Sequence, residues 1–308
     1  MPPRKTYAHL QVRGRMPNEY EIVSTDLAYH VRRGLEVAAP LAAWYERYQR
    51  GSPLVCSDWE RFRDPRETTY PRYTSLARCR ELFVDGLLEF VQETGYDERL
   101  DETWVRTLAR VFAPLRFPVH GLQMIAAYVG QMAPSGRITM TALFQAADEM
   151  RRVQRVAYRV RQLQRSRPGL FMDGKALWER DPIWQPLREA VERLLVTYDW
   201  GEAFVALDRV LKPMLDDLFM RRFGDLAQRR GDYVMGELCF SLAEDCRWHE
   251  EWSRALVALA VEDAPANRDV ISRWVHKWHP LAARAVRAFD PVFEEHAEIR
   301  TAEELIAA

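Results

Sequence analysis

Apolar positions recur at helical spacing over most of this chain. From about residue 75 onward the period is three to four nearly throughout. A helix is predicted near 75–94, running Leu76, Leu82, Phe83, Leu87, Phe90 and stopping at Gly95. Asp101 precedes a second run through Trp104, Leu108, Val111 and Phe112, which Pro114 and Pro118 should kink or break. It resumes at Leu122, Ile125, Ala126 and Val129 until Pro134-Ser135-Gly136. The cleanest stripe, over about 138–165, is Leu143, Ala146, Met150, Val153, Ala157 and Val160, with Arg151, Arg155, Arg159 and Arg161 lying away from it. Further helices are predicted at about 183–199, 201–227, 231–261 and 267–290. No strand-like alternation of useful length appears, so the class is all-α. Helices this long with short connectors form a bundle.

The first 75 residues differ. They hold breakers and aromatics, with helical spacing only near 36–50 (Leu41, Trp44, Tyr45, Tyr48) and a possible extended piece at Ile22-Val23-Ser24-Thr25. Such a segment cannot build its own core. It reads as an extended, irregular arm (1–75) laid over either the chain's own helical domain (76–308) or a partner. The ten tryptophans suit either surface.

Composition then removes several functions. The balance of 44 Lys+Arg against 45 Asp+Glu over 308 residues lacks the basic footprint of a nucleic-acid or membrane-surface binder. Only four of those cations are lysines, and arginine supplies planar, bidentate partners for carboxylates. No run of about 18 apolar residues exists to span a bilayer, and the N-terminus lacks a secretory signal's apolar core. Four scattered cysteines without a C-x-x-C read as reduced thiols in a cytoplasmic protein.

A long-helix bundle raises the question of a di-iron site, which takes Glu-x-x-His from each of two helices. The residues three before the seven histidines are Thr6, Leu27, Phe117, Cys246, Arg273, His276 and Phe293, and none is acidic. Two places look like such motifs with the imidazoles removed. Asp148-Glu149-Met150-Arg151-Arg152 and Glu244-Asp245-Cys246-Arg247-Trp248 align as acid-acid-x-Arg-x, with Arg152 and Trp248 in the imidazole positions. Arginine keeps its proton and indole offers only a donor, so neither coordinates a metal. Cys246-x-x-His249 reads as a packed thiol and core histidine. His276-x-x-His279 offers two ligands only, and Asp216/Asp217 read as ordinary helix charges.

The N-terminal half carries a more specific signal: Tyr20-Glu21-Ile22-Val23-Ser24-Thr25, then Pro40 to Tyr48, Gly51-Ser52-Pro53-Leu54, and Asp58-Trp59-Glu60-Arg61-Phe62-Arg63-Asp64-Pro65 running into Thr68-Thr69-Tyr70. With the two degenerate motifs, this succession resembles the hydroxylase β subunit of bacterial soluble di-iron multicomponent monooxygenases, nearest their toluene branch. The resemblance implies a ferritin-like fold without metal ligands, and no cofactor in this chain. It implies a catalytic α subunit that holds the di-iron centre and oxygenates hydrocarbons, and a small γ subunit completing an (αβγ)2 hydroxylase. An effector protein, a Rieske-type ferredoxin and a reductase would serve it, bringing NADH, FAD and iron–sulfur centres. The arm residues expected at the partner interface are Trp44, Tyr45, Arg47, Tyr48, Trp59, Arg61, Phe62, Arg66, Tyr70 and Tyr73. The competing reading is a free-standing helical binding or regulatory protein.

Overall fold

The computed structural model describes residues 15–24 and 40–296. The remainder of the predicted arm, 1–14 and 25–39, and the last residues, 297–308, lie outside the described residues. No β-strand occurs among the described residues. In chain order the helices are α1 (Glu19–Ser24), α2 (Pro40–Tyr45), α3 (Tyr70–Thr94), α4 (Glu102–Thr107), α5 (Arg116–Met132), α6 (Gly136–Ser166), α7 (Gly174–Arg180) and α8 (Gln185–Leu195). They continue as α9 (Trp200–Phe204), α10 (Lys212–Asp216), α11 (Phe223–Arg229), α12 (Tyr233–Asp263) and α13 (Asn267–Arg287). Wide π turns at Val205–Leu211 and Asp217–Arg222 join α9, α10 and α11 into one long irregular rod.

Side-chain caps and left-handed turns set the boundaries. Ser135 accepts from the Ile138 N–H, Asp199 from Glu202, Asp101 from Trp104 and Asp232 from Met235, each satisfying a donor at a helix start. Gly95, at φ 60°, ends α3 in the left-handed conformation that glycine adopts without strain. Short connectors then force antiparallel pairs. The α5–α6 hairpin packs against the α9–α11 rod and α12, which makes a four-rod core. α3 lies along α12, and α8 and α13 cover the opposite side. Tryptophans fill the centre: Trp104, Trp184, Trp200 and Trp252 are all at most 1% exposed.

Three expectations are corrected. Ile22-Val23-Ser24 is not extended but ends α1, because the Asn18 side chain caps the Glu21 N–H at 2.9 Å. On α6 the predicted stripe holds only in part: Ala146 and Val160 are buried, but Leu143 is 45% exposed, and the continuous buried face runs Ile138, Ala142, Gln145, Glu149, Arg152, Val156, Arg159 and Leu163. The bundle interior is ionic at this level, so paired charges occupy the inner stripe and rotate the apolar signal away from it. On α3 the buried residues are Val84, Leu88 and Val91, while Leu76, Leu82, Phe83 and Phe90 face outward.

Candidate functional site

The two degenerate motifs meet inside the bundle, on facing turns of α6 and α12. Asp148, Glu149, Arg151 and Arg152 of α6 and Asp245, Trp248 and His249 of α12 are all buried. Burial of so many charges is tolerable only if each is paired. Glu149 lies 3.1 Å from the Arg152 guanidinium and 2.7 Å from the Lys212 ammonium. Asp216 closes the ring, 2.9 Å from Arg152 and 2.8 Å from Lys212. Two carboxylates and two cations thus make a neutral quartet. Burial and Arg152 oppose the Lys212 charge, yet Asp216 and Glu149 hold its pKa above the ordinary value. Burial would raise Asp216, but Lys212 and Arg152 bring it down to about 2.

Asp245 is served separately. Arg151 reaches it at 2.8 Å and Arg80, from α3, binds its other oxygen, while Arg151 also pairs with Glu81. Asp148 accepts from the Tyr73 hydroxyl at 2.9 Å and lies 3.0 Å from Nε2 of His249. Burial pushes His249 well below its usual pKa and raises Asp148, so a neutral imidazole meets this carboxyl. Asp208, from the π turn before α10, accepts from Gln145, whose carbonyl accepts from the Trp252 indole at 2.9 Å. Burial raises Asp208 to about 7.

Trp248, the other imidazole-position residue, turns toward the arm. Its indole N–H donates to Asp64 at 2.8 Å. Asp64 also accepts from the backbone N–H of Arg66 and Thr68, which shapes the Asp64-Pro65 turn. This gives the Asp58–Tyr70 block a physical role. Asp58 caps the short turn Trp59–Arg61, Trp59 meets Trp200 edge-on at 5.1 Å, and Phe62 meets Trp252 at 6.4 Å.

Other interface candidates also lie on this chain's own bundle. The Trp44 indole donates to the Tyr128 hydroxyl, and Trp44 and Tyr48 cluster with Tyr198. The Tyr45 hydroxyl donates to the Gln131 carbonyl. Arg61 pairs with Asp263, Arg66 with Glu251 through two bonds, and Tyr73 stacks on Phe144. Phe62, at 1% exposed, is corrected from partner contact to core residue. Arg47 and Tyr70 remain outward.

Sequence reasoning missed several members of the ionic interior. Arg159 is fully buried and grips Asp97 through two bonds of 2.6 and 2.7 Å. Lys212 and Asp216 complete the quartet, so Asp216 is no ordinary surface charge. The available signal was register: Gln145, Glu149, Arg152, Val156 and Arg159 recur at four and three, a continuous inner face. His276 and His279 are exposed and remote.

Chemically, Glu149, Asp216 and Asp245 have their lone pairs committed to fixed cations, and the donor set does not fit a di-iron centre. No group of three His, Cys, Asp or Glu side chains converges to hold a metal ion among the described residues. The class defined by these features is a ferritin-like helical bundle whose interior is crossed by ion pairs. The profile of the family described as Methane/Phenol/Alkene Hydroxylase matches residues 44–264, and the chain belongs to that family. It is 38% identical to the toluene-4-monooxygenase system hydroxylase component subunit beta of Ectopseudomonas mendocina, over 93% of this chain and 90% of that protein. It is 28% identical to the phenol 2-monooxygenase oxygenase component DmpL of Pseudomonas sp. (strain CF600), over 100% of this chain and 92% of that one. The propane 2-monooxygenase hydroxylase component small subunit of Gordonia sp. (strain TY-5) is 26% identical over 79% of this chain and 67% of its own length. A solved structure of toluene 4-monooxygenase with toluene in its resting active site superposes with a TM-score of 0.86 at 38% identity, covering 89% of this chain and 93% of that one. The chain is thus a component of a monooxygenase system, of the hydroxylase β type.

Proposed function

We propose that this chain is the non-catalytic β subunit of an NADH-dependent di-iron hydroxylase that inserts oxygen from O2 into aromatic or alkene hydrocarbons. Its work is to hold the catalytic α subunit's helices in place. The observation that carries this reading is the Glu149–Arg152–Asp216–Lys212 quartet, which fills with protein cations the place where a metal-binding bundle would hold its ions. A di-iron site tolerates displacements of only about 0.5 Å, so a second rigid bundle packed against it is a physical asset. The di-iron centre then belongs to α, with γ completing an (αβγ)2 assembly. The effector, Rieske-type ferredoxin and reductase act on that complex in the cytoplasm. No helix among the described residues is long and apolar enough to cross a membrane. An aromatic substrate is favoured by the relative named for toluene.

The test is co-expression with the neighbouring larger hydroxylase subunit, followed by sizing and iron analysis. Iron should track the larger subunit, with hydrocarbon oxygenation only in the complex. The α–β interface should bury more than roughly 2,000 Å² and resist dilution. Stoichiometric iron retained by this chain alone, or a stable monomer indifferent to the larger subunit, defeats the proposal and favours the free-standing binding protein.

A further inference from the structure

Between the α9–α11 rod and α12 runs a cleft of about 750 Å³, within the range of about 300–1,000 Å³ that small-ligand sites occupy. The subunit reading makes no use of it. Two of its lining side chains, Asp208 and His249, are 3% and 2% exposed. Asp208 gives Oδ1 to the Gln145 amide, and its buried Oδ2 has no partner among the described residues. His249 gives Nε2 to Asp148, and its buried Nδ1 has none either. A carboxylate at Asp148 selects the tautomer with the proton on Nε2, which makes Nδ1 an acceptor. Two buried acceptors lining one cleft are costly unless something donates to them.

Charge and lining say what kind of donor fits. The cleft is lined by six carboxylates against the three cations Lys212, Arg221 and Arg247. Lys212 is already neutralised by Glu149 and Asp216, so the surplus is negative and repels anions. Toward solvent stand Asp217, Asp225, Glu244 and Glu250, all exposed or half-buried. Burial lifts Asp208 to about 7, although Gln145 and Lys212 favour its ionised form, so this carboxyl lacks a full counter-charge. A bare metal ion is poorly served, since no group of three His, Cys, Asp or Glu side chains converges to hold one among the described residues. An ammonium group needs only an acceptor for each N–H. Pro213, Phe240 and Ala243 add apolar lining suited to a hydrocarbon segment.

We infer that this cleft binds a short aliphatic diammonium ion. One ammonium donates to Asp208 Oδ2 and His249 Nδ1, and the other sits among the carboxylates nearer solvent. Every group in this assignment belongs to this chain, so it stands apart from the subunit reading.

The experiment is calorimetric titration of 1,4-diaminobutane into the full chain, purified with whatever subunit accompanies it, near neutral pH and at low salt. The expected result is saturable binding at one site per chain, with a Kd of about 0.1 mM or tighter. Asp208→Asn keeps an acceptor for Gln145 but loses the charge, and should weaken binding by about 10-fold or more. Asp225→Lys, at an exposed position, should weaken it by about 3-fold, an effect that added salt erases. Glu93→Lys makes the same charge reversal at an exposed position of α3 and should change nothing. 1,4-Butanediol, of equal length but uncharged, should bind about 10-fold more weakly or worse. Absence of saturable binding to the wild type overturns the assignment. So does binding that survives Asp208→Asn, wild-type affinity in Asp225→Lys, or a diol that binds as tightly as the diamine. A loss in Glu93→Lys equal to that in Asp225→Lys overturns it as well, because the attraction is then bulk electrostatics and not a site.

Discussion

Arg152 and Asp208 show how burial decides the behaviour of a charge here. Arg152 is 1% exposed, and it touches Glu149, Asp216 and the Cys246 sulfur. Its charge is held by the Glu149 and Asp216 carboxylates, and burial, which alone would disfavour it, is outweighed. Arg152→Leu leaves Glu149 and Asp216 facing one cation, Lys212, and should destabilise the chain by about 3–5 kcal/mol. The double change Arg152→Leu, Glu149→Leu removes one charge of each sign and should recover most of that loss. Urea unfolding at pH 7 measures both, and equal losses for the single and double variants would show that the quartet is not an energetic unit. Asp208 gives a pH signature. Its folded pKa, raised by burial to about 7, lies above the unfolded carboxyl value, so the native state holds a proton that the unfolded chain releases first. This contribution is present at acid pH and is lost as pH rises from about 4 through 7. Asp208→Asn removes it. The variant should therefore gain on the wild type between pH 5 and pH 8 by a few kcal/mol at most, on the order of 3. Parallel stability curves for the two proteins over that window would contradict the assignment.

Among the helices, existence is legible from apolar period. Facing is legible on α4 and α5, where Trp104, Leu122, Ile125, Ala126 and Val129 are buried as the spacing predicts, but it is misread on α3 and in part on α6. α6 illustrates why. Its sequence reads as an apolar stripe through Leu143 and Met150, but the interior carries Gln145, bonded to Asp208 and Trp252, and Glu149, Arg152 and Arg159, whose charges partners from α10 and Asp97 neutralise. Hydrophobic period locates a core only when the core is apolar. That acid-acid-x-Arg-x lacks imidazoles is read from the sequence alone. The remaining members of the quartet are not legible there, because Lys212 and Asp216 sit on a separate helix about 60 residues away in sequence, and only the fold brings them in. For the arm, Trp and Phe content signalled burial without naming the surface. Trp59, Phe62 and Asp64 are laid on Trp200, Trp252 and Trp248 of the chain's own bundle. Phe62→Ala should accordingly cost about 3–5 kcal/mol, the penalty of a buried aromatic truncation, without changing affinity for a partner. Chemical denaturation of the isolated chain and sizing of the complex separate the two effects, and a loss of partner affinity with unchanged stability would return Phe62 to the interface.

The arm, α6, the α10 rod and α12 are joined through Arg152 and Trp248, the residues that stand three after an acid in the two aligned motifs. Arg152 ties α6 to the rod through Asp216, and Trp248 ties α12 to the arm through Asp64. Restoring imidazoles at both places, Arg152→His with Trp248→His, recreates the Glu-x-x-His and Asp-x-x-His spacing on paper. It should nevertheless give no two-iron centre. Asp245 remains clamped by Arg151 and Arg80, and Lys212 still lies 2.7 Å from Glu149, so the carboxylates face protein cations that a metal would have to displace. The same change removes the arm's anchor and opens the quartet, for a combined loss of several kcal/mol. Anaerobic reconstitution with ferrous iron, followed by metal analysis and denaturant unfolding, tests both halves. Two tightly held irons in a variant as stable as the parent would mean that ligand identity alone separates scaffold from reactor. A destabilised variant without stoichiometric iron would mean that the whole bundle has been rebuilt around its ion pairs.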